Sequence, residues 1–138
     1  MKIEINRINN AVHLEAKNEE GNRVLIDGSP EIGGNELGMR PMQLLLASLG
    51  SCTSMDLLNI LKKQRQTIKA YQVIVEGNRE KEGDVSIFKK IHLHFILKGD
   101  LDKEKVKKAL VLSVEKYCSV SRMLAQTATI THSFEINQ

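Results

Sequence analysis

Arg40-Pro41-Met42-Gln43-Leu44-Leu45-Leu46-Ala47-Ser48-Leu49-Gly50-Ser51-Cys52 is the stretch whose reading decides the fold. Pro41 suits the first position of a helix, where its missing N–H is no loss and its fixed φ is already helical. No further proline follows before about Gln64, so a helix is expected from Pro41 to roughly that residue. Its apolar residues are Met42, Leu44, Leu45, Leu46, Ala47, Leu49, Met55, Leu57, Leu58, Ile60 and Leu61. They cover nearly the whole circumference through Leu49 and then narrow to one side. A helix apolar all round is buried in the middle of something. About 24 residues reach roughly 36 Å, more than a small domain needs for itself. Walls of sheet on several sides, or a partner subunit, are therefore expected.

Outward from this helix, both flanks read as strands. On the amino-terminal side, Lys2 to Arg7, Ala11 to Ala16 and Arg23 to Ile26 are short strand-like runs separated by turn-forming asparagine and glycine. Asp27 to Gly38 is a loop with Pro30, Gly33, Gly34 and Gly38, and its glycines do not follow the phosphate-binding GxGxxG spacing. On the carboxyl-terminal side, Ala70 to Arg79 and Ile87 to Lys98 read as strands joined by the polar turn Glu80 to Asp84. Ile91, Leu93, Phe95 and Leu97 alternate cleanly in the second of them. A helix is expected from about Asp102 to Tyr117, then a helical turn through Leu124 and a last strand, Thr129 to Ile136. This order predicts an α+β fold of mostly antiparallel sheet, and residues 1–138 read as one domain.

Composition narrows the function classes. The 138 residues are 41% hydrophobic and 27% charged, with a net charge of +3. That balance is ordinary for a globular domain. The charge is too small for a nucleic-acid protein, and no basic cluster comes with stacking aromatics. Lys62-Lys63 and the run Lys103 to Lys108 read as solvated faces. The N-terminus, Met1 to Asn6, lacks the continuous apolar stretch of a signal peptide. The densest apolar run, Leu44 to Leu49, is too short to span a bilayer. A cytoplasmic location is the resulting expectation.

In that compartment disulfides are transient, catalytic or redox-sensing, so the two cysteines become the main chemical candidates. Cys52 lies within Gly50-Ser51-Cys52-Thr53-Ser54, where small neighbours leave space beside the sulfur. It is either a thiol at the floor of a pocket or a small packed hydrophobe. Cys118 precedes Ser119-Val120-Ser121-Arg122-Met123-Leu124. If Ser119 caps the following helical turn, the sulfur lies near a positive helix end, which favours thiolate. Two apolar-flanked cysteines on separate helices suggest a pair that meets in space. His92 and His94 share the polar face of a strand and are expected to face solvent, with no third metal ligand in view. Asp56 shares the face of Cys52 one turn on and is expected to cap or to pair with a Lys or Arg. No metal or cofactor is called for.

The stretch from Arg40 to Cys52, together with Cys118-Ser119-Val120-Ser121, resembles the OsmC/Ohr family of organic hydroperoxide reductases. Glu115-Lys116-Tyr117-Cys118-Ser119-Val120 and Ile130-Thr131-His132-Ser133 look most like its YhfA-like branch. The resemblance implies two antiparallel-rich sheets around long central helices in an intertwined homodimer, with active sites at the subunit interface. It implies a thiol-dependent peroxidase that reduces a small organic hydroperoxide in oxidative stress defence. Cys52 would be the nucleophile, Cys118 the resolving thiol, and a lipoyl-type dithiol the reductant.

The sequence departs from the family at one place. Where the family has Glu after the helix-starting proline this chain has Met42, then Gln43, and the upstream loop carries no Arg before Arg40. Arg40 and Gln43 are the candidates to support a thiolate or substrate, with Arg23 the other nearby cation. The alternative implied by this departure is an OsmC-fold protein of little or no activity that binds an apolar small molecule or senses redox state.

Overall fold

The computed structural model describes residues 1–138, which divide into two compact units, Met1–Leu45 and Leu46–Gln138. In the first unit, β1 (Ile3–Arg7), β2 (Leu14–Asn18) and β3 (Arg23–Ile26) form an antiparallel sheet in that order. Ile5, Ala16 and Val24 line up across its three strands, with Ile3 on the same face. The loop after β3 contains a short 3-10 turn, Pro30–Ile32, and is stapled by buried Asp27. Its carboxylate accepts the N–H of Gly28 at 2.8 Å, of Leu37 at 3.1 Å and of Asn35 at 3.2 Å.

Helix α1 runs Pro41–Lys63 and enters the second unit after Leu45. Pro41 opens it as expected, and the Gln43 side-chain oxygen reaches back to accept the Arg40 N–H at 2.9 Å, one half of a capping box. The second unit holds a sheet ordered β4 (Ala70–Glu82), β5 (Val85–Lys98), β6 (Thr129–Asn137). β4 and β5 are antiparallel, with a bulge at Asn78/Arg79, whereas β6 lies parallel to β5 along the sheet edge. The expected turn Glu80 to Asp84 is tighter than that. The strands extend through Glu82 and Val85 and turn on Gly83-Asp84, where Gly83 has φ 63°. Between β5 and β6 come α2 (Lys103–Val111), a π-helical turn (Leu112–Tyr117) and α3 (Ser119–Leu124).

The strand alternation places Ile91, Leu93, Phe95 and Leu97 inward, all essentially fully buried. Helix α1 lies along this inward face with Leu46, Gly50 and Ser54, spaced one turn apart. A Cβ at Gly50 would stand 2.9 Å from Val75 Cγ2, so the glycine sets how closely helix and strand approach. One turn on, the hydroxyls of Ser54 and Tyr71 are 2.6 Å apart. Leu49, Leu57 and Leu61 are completely buried, as are Val106, Ala109 and Leu110 of α2. By length and composition the whole of α1 would suffice to cross a membrane, unlike the Leu44–Leu49 run alone. The buried Leu49, Leu57 and Leu61 mark it as a core helix. The expectation of burial on every side holds for one side only, since Leu45, Met55 and Leu58 remain exposed in the single chain.

Candidate active site

The two cysteines meet in the second unit. Cys52 projects from the middle of α1, where Thr53 and Ser54 return their hydroxyls to the carbonyls of Leu49 and Gly50. Those bonds let small polar residues sit in a buried helix without unpaired oxygens. The small-residue cluster thus serves close packing at Gly50 and leaves Cys52 half-buried beside it.

Cys118 arrives from the other direction. The π-helical turn ends at Tyr117, and Cys118 steps out of the helix with φ −76° and ψ 111°. It is Cys118 itself, not Ser119, that caps α3: its sulfur accepts the Ser121 N–H at 3.2 Å. The Val120 N–H also acts on it, and Cys52 is among its neighbours. Both thiols are free and reduced.

The electrostatics of Cys118 differ from the expectation of a helix-stabilised thiolate. Burial, with only 3% of the residue exposed, is the largest influence and raises its pKa. The neighbouring Cys52 raises it further, and the N–H groups of Ser121 and Val120 offset only part of this. The result is a thiol moved from 9.0 to about 11, protonated at neutral pH. An apolar burial outweighs two amide dipoles at the start of a helix of six residues.

The other sequence candidates are placed as follows. Arg40 is exposed and bonds Glu36 through a 2.8 Å contact. The side-chain oxygen of Gln43 is committed to the Arg40 N–H. Asp56 forms neither the cap nor the ion pair expected of it, and its Oδ2 is shielded from solvent with no hydrogen-bond partner. His92 and His94 lie on the outer face of the β5–β6 pair, as their alternation requires. They are stitched to β6: His92 meets Thr131 at 2.7 Å and Ser133 at 2.8 Å, and His94 meets Ser133 at 2.7 Å. No three metal-ligating side chains converge. His132 lies on the inward face of β6, its Nε2 3.9 Å from Glu115 Oε1.

Sequence reasoning missed the cap made by Cys118 and the Ser54–Tyr71 contact. The first had a local signal: a helix interrupted at Cys118 and resumed at once at Ser119. The second depends on the pairing of α1 with β4 and has no local signal.

An α+β fold with two free thiols from different helices brought side by side defines a class of two-cysteine proteins. The OsmC-like protein family model matches residues 33–133, and the chain belongs to that family. It is 38% identical to Protein YhfA of Escherichia coli (strain K12) over 117 residues, 84% of each chain. A crystal structure of a hypothetical protein from Aquifex aeolicus VF5 superposes with a TM-score of 0.79 at 28% identity, covering 99% of this chain and 97% of that one. An organic hydroperoxide resistance protein OsmC from Legionella pneumophila shares the fold with a TM-score of 0.71 at 16% identity, covering 98% and 97%.

Proposed function

We propose that this protein is a thiol-dependent peroxidase that reduces small organic hydroperoxides through Cys52 and Cys118, working as a homodimer. The observation that carries the reading is the pairing of a half-buried sulfur on α1 with a buried, protonated one capping α3. The two environments divide the roles. Cys52, the more accessible sulfur, attacks the terminal peroxide oxygen as a thiolate. The O–O bond breaks, the alkoxide takes a proton and leaves as the alcohol, and Cys52 becomes a sulfenic acid. Cys118 then attacks that sulfur. Its thiol proton leaves with the hydroxyl as water, and a Cys52–Cys118 disulfide forms. A dithiol of the lipoyl type returns both sulfurs to thiols by exchange and is itself oxidised to a disulfide.

Likeness to proteins described as organic hydroperoxide resistance proteins, from Legionella pneumophila and Elizabethkingia anophelis, supports the substrate class. The homodimer is supported by apolar surface that a single chain leaves uncovered. Ile3 (55% exposed), Ile5 (58%) and Val24 (45%) share one face of the first sheet, and Met55 (66%) stands out from α1. The test is turnover of cumene hydroperoxide with dihydrolipoamide. Steady consumption that disappears in Cys52→Ser supports the reading; no turnover in the wild type overturns it.

A second reading rests on the helix start. The first turn of α1 has no acidic residue, and Arg40 and Gln43 are both engaged locally. A protein that keeps the fold and binds an apolar ligand without turnover follows from that. A ligand co-purifying with chains whose thiols ignore hydroperoxide supports this second reading.

A further inference from the structure

The positive charge of the chain is concentrated on the elements that carry Cys118. Six of its 20 basic residues, but only two of its 17 acidic ones, lie between Lys103 and Leu124, from the start of α2 to the end of α3. This stretch therefore carries +4 and the remainder of the chain −1. Lys103, Lys105, Lys107, Lys108, Lys116 and Arg122 are all exposed, and none of them joins an ion pair. The two acids leave them uncompensated. Glu115 lies 3.9 Å from His132, and Glu104 pairs with no cation. We infer that this basic face of α2 and α3 docks an acidic protein that delivers the reducing dithiol to the Cys52–Cys118 disulfide. The delivery role rests on the peroxidase reading; the acidic partner does not.

The lysines of α2 are placed against the stability of their own helix. Lys103 and Lys105 sit in its first turn, where the macrodipole is positive. Lys103 and Lys107 are four residues apart and Lys105 and Lys108 three. Like charges are thus neighbours on the helix surface, an arrangement that destabilises it. Val106, Ala109 and Leu110 hold the opposite side of α2 in the core. A partner that brings negative charge relieves the repulsion, and the same field steers its approach. Apolar footholds lie beside the cations. Tyr117 and Met123 are 53% and 75% exposed, and Lys116 stands over the Tyr117 ring at 5.4 Å. A cavity of about 320 Å³, lined by Glu115, Ser121, Arg122 and Gln126 among others, opens beside them. Tyr, Met and Arg are types enriched at protein interfaces, which favours a protein over a nucleic acid here. Lys105 stands roughly 20 Å from Cys118 along the helical path. One interface of about 800 Å² on each partner, roughly 30 Å across, covers both. One carrier sulfur then attacks the disulfide and its second sulfur clears the mixed disulfide. Cys52 and Cys118 return as thiols, and the carrier leaves as the disulfide.

The test compares free dihydrolipoamide with the same dihydrolipoyl group borne on an acidic carrier domain, each as reductant in hydroperoxide turnover at low and high salt. The variant is Lys103→Gln, Lys105→Gln and Lys107→Gln together, with the three Lys→Arg changes as its charge-keeping control. The Gln substitutions relieve repulsion, so the thermal midpoint should hold or rise and show the fold intact. With the carrier, kcat/KM should fall about tenfold in the Gln variant, the low end of what steering contributes. High salt should lower the wild type in the same way. The Arg variant should match the wild type, and free dihydrolipoamide should serve all three proteins equally. A carrier rate unmoved by the Gln changes, or a free dihydrolipoamide rate that falls with it, overturns the inference. If no hydroperoxide is consumed with either reductant, the peroxidase reading is lost, and sedimentation of the carrier with each protein decides the docking face. Salt-sensitive binding that the Gln variant loses keeps the acidic partner. No binding to the wild type, or duplex DNA bound more tightly than the carrier, overturns it.

Discussion

The sulfur of Cys118 accepts the backbone N–H of Ser121 at 3.2 Å and so begins helix α3. Burial nonetheless raises this thiol to about 11, which ties stability to alkaline pH. The folded state holds the proton to higher pH than the unfolded chain does. The contribution is therefore complete below pH 9 and is lost as pH rises toward about 11. Urea midpoints of reduced protein should fall between pH 9 and 11. Cys118→Ser, measured alongside, should lose the part of that decline that the thiol causes.

Asp27 gives the opposite sign. Burial opposes its charge, but the N–H groups of Leu37, Gly28 and Asn35, helped by His13, outweigh it and hold the carboxyl below its ordinary value of 3.8. Its stabilising effect is present above pH 3.8 and is lost as pH falls through the lowered value. Asp27→Asn should lower stability at pH 7 and flatten the acid limb of a stability–pH curve. A curve of unchanged shape contradicts the staple.

Gly77 sits on the inward face of β4. A Cβ there would stand 2.5 Å from Phe88 Cε1 and 3.0 Å from Leu46 Cδ2. Phe88 is itself buried, at 6% exposure, so the ring has little room to yield. Gly77→Ala should cost about 1–3 kcal/mol by overpacking, read from denaturant midpoints.

Leu57 is completely buried on the same side of α1 as Leu49 and Leu61. Leu57→Ala should cost about 2–5 kcal/mol, the range for an aliphatic core truncation. Exposed Met55, two residues earlier, should cost little in the isolated chain. In solution Met55→Asp should instead raise the monomer fraction seen by sedimentation, if that exposed side meets a partner.

Much of this architecture was legible in the sequence because its signals are local. Pro41 marks the start of α1, Arg23–Ile26 is delimited by its turn residues, and the alternation from Ile91 to Leu97 assigns the buried face of β5. What was not legible depends on pairing. The period of a strand carries no direction, so nothing in Thr129–Asn137 announces that β6 runs parallel to β5. The charged run Glu80-Lys81-Glu82 reads as turn, yet it continues an exposed two-stranded ribbon. The resemblance at Arg40 to Cys52 pointed to the fold. It did not show that Arg40 and Gln43 would be used at the helix start. Cys118 was legible as one of a pair. Its role as a cap was hidden because Ser119, a far commoner capping residue, stands beside it.

The most direct measurement treats reduced protein with one equivalent of an alkyl hydroperoxide, quenches with an alkylating agent and maps the peptides by mass. A Cys52–Cys118 disulfide in the wild type, with a sulfenic acid trapped at Cys52 in Cys118→Ser, is the predicted result. Both cysteines recovered as alkylated thiols, with the hydroperoxide unconsumed, would contradict it.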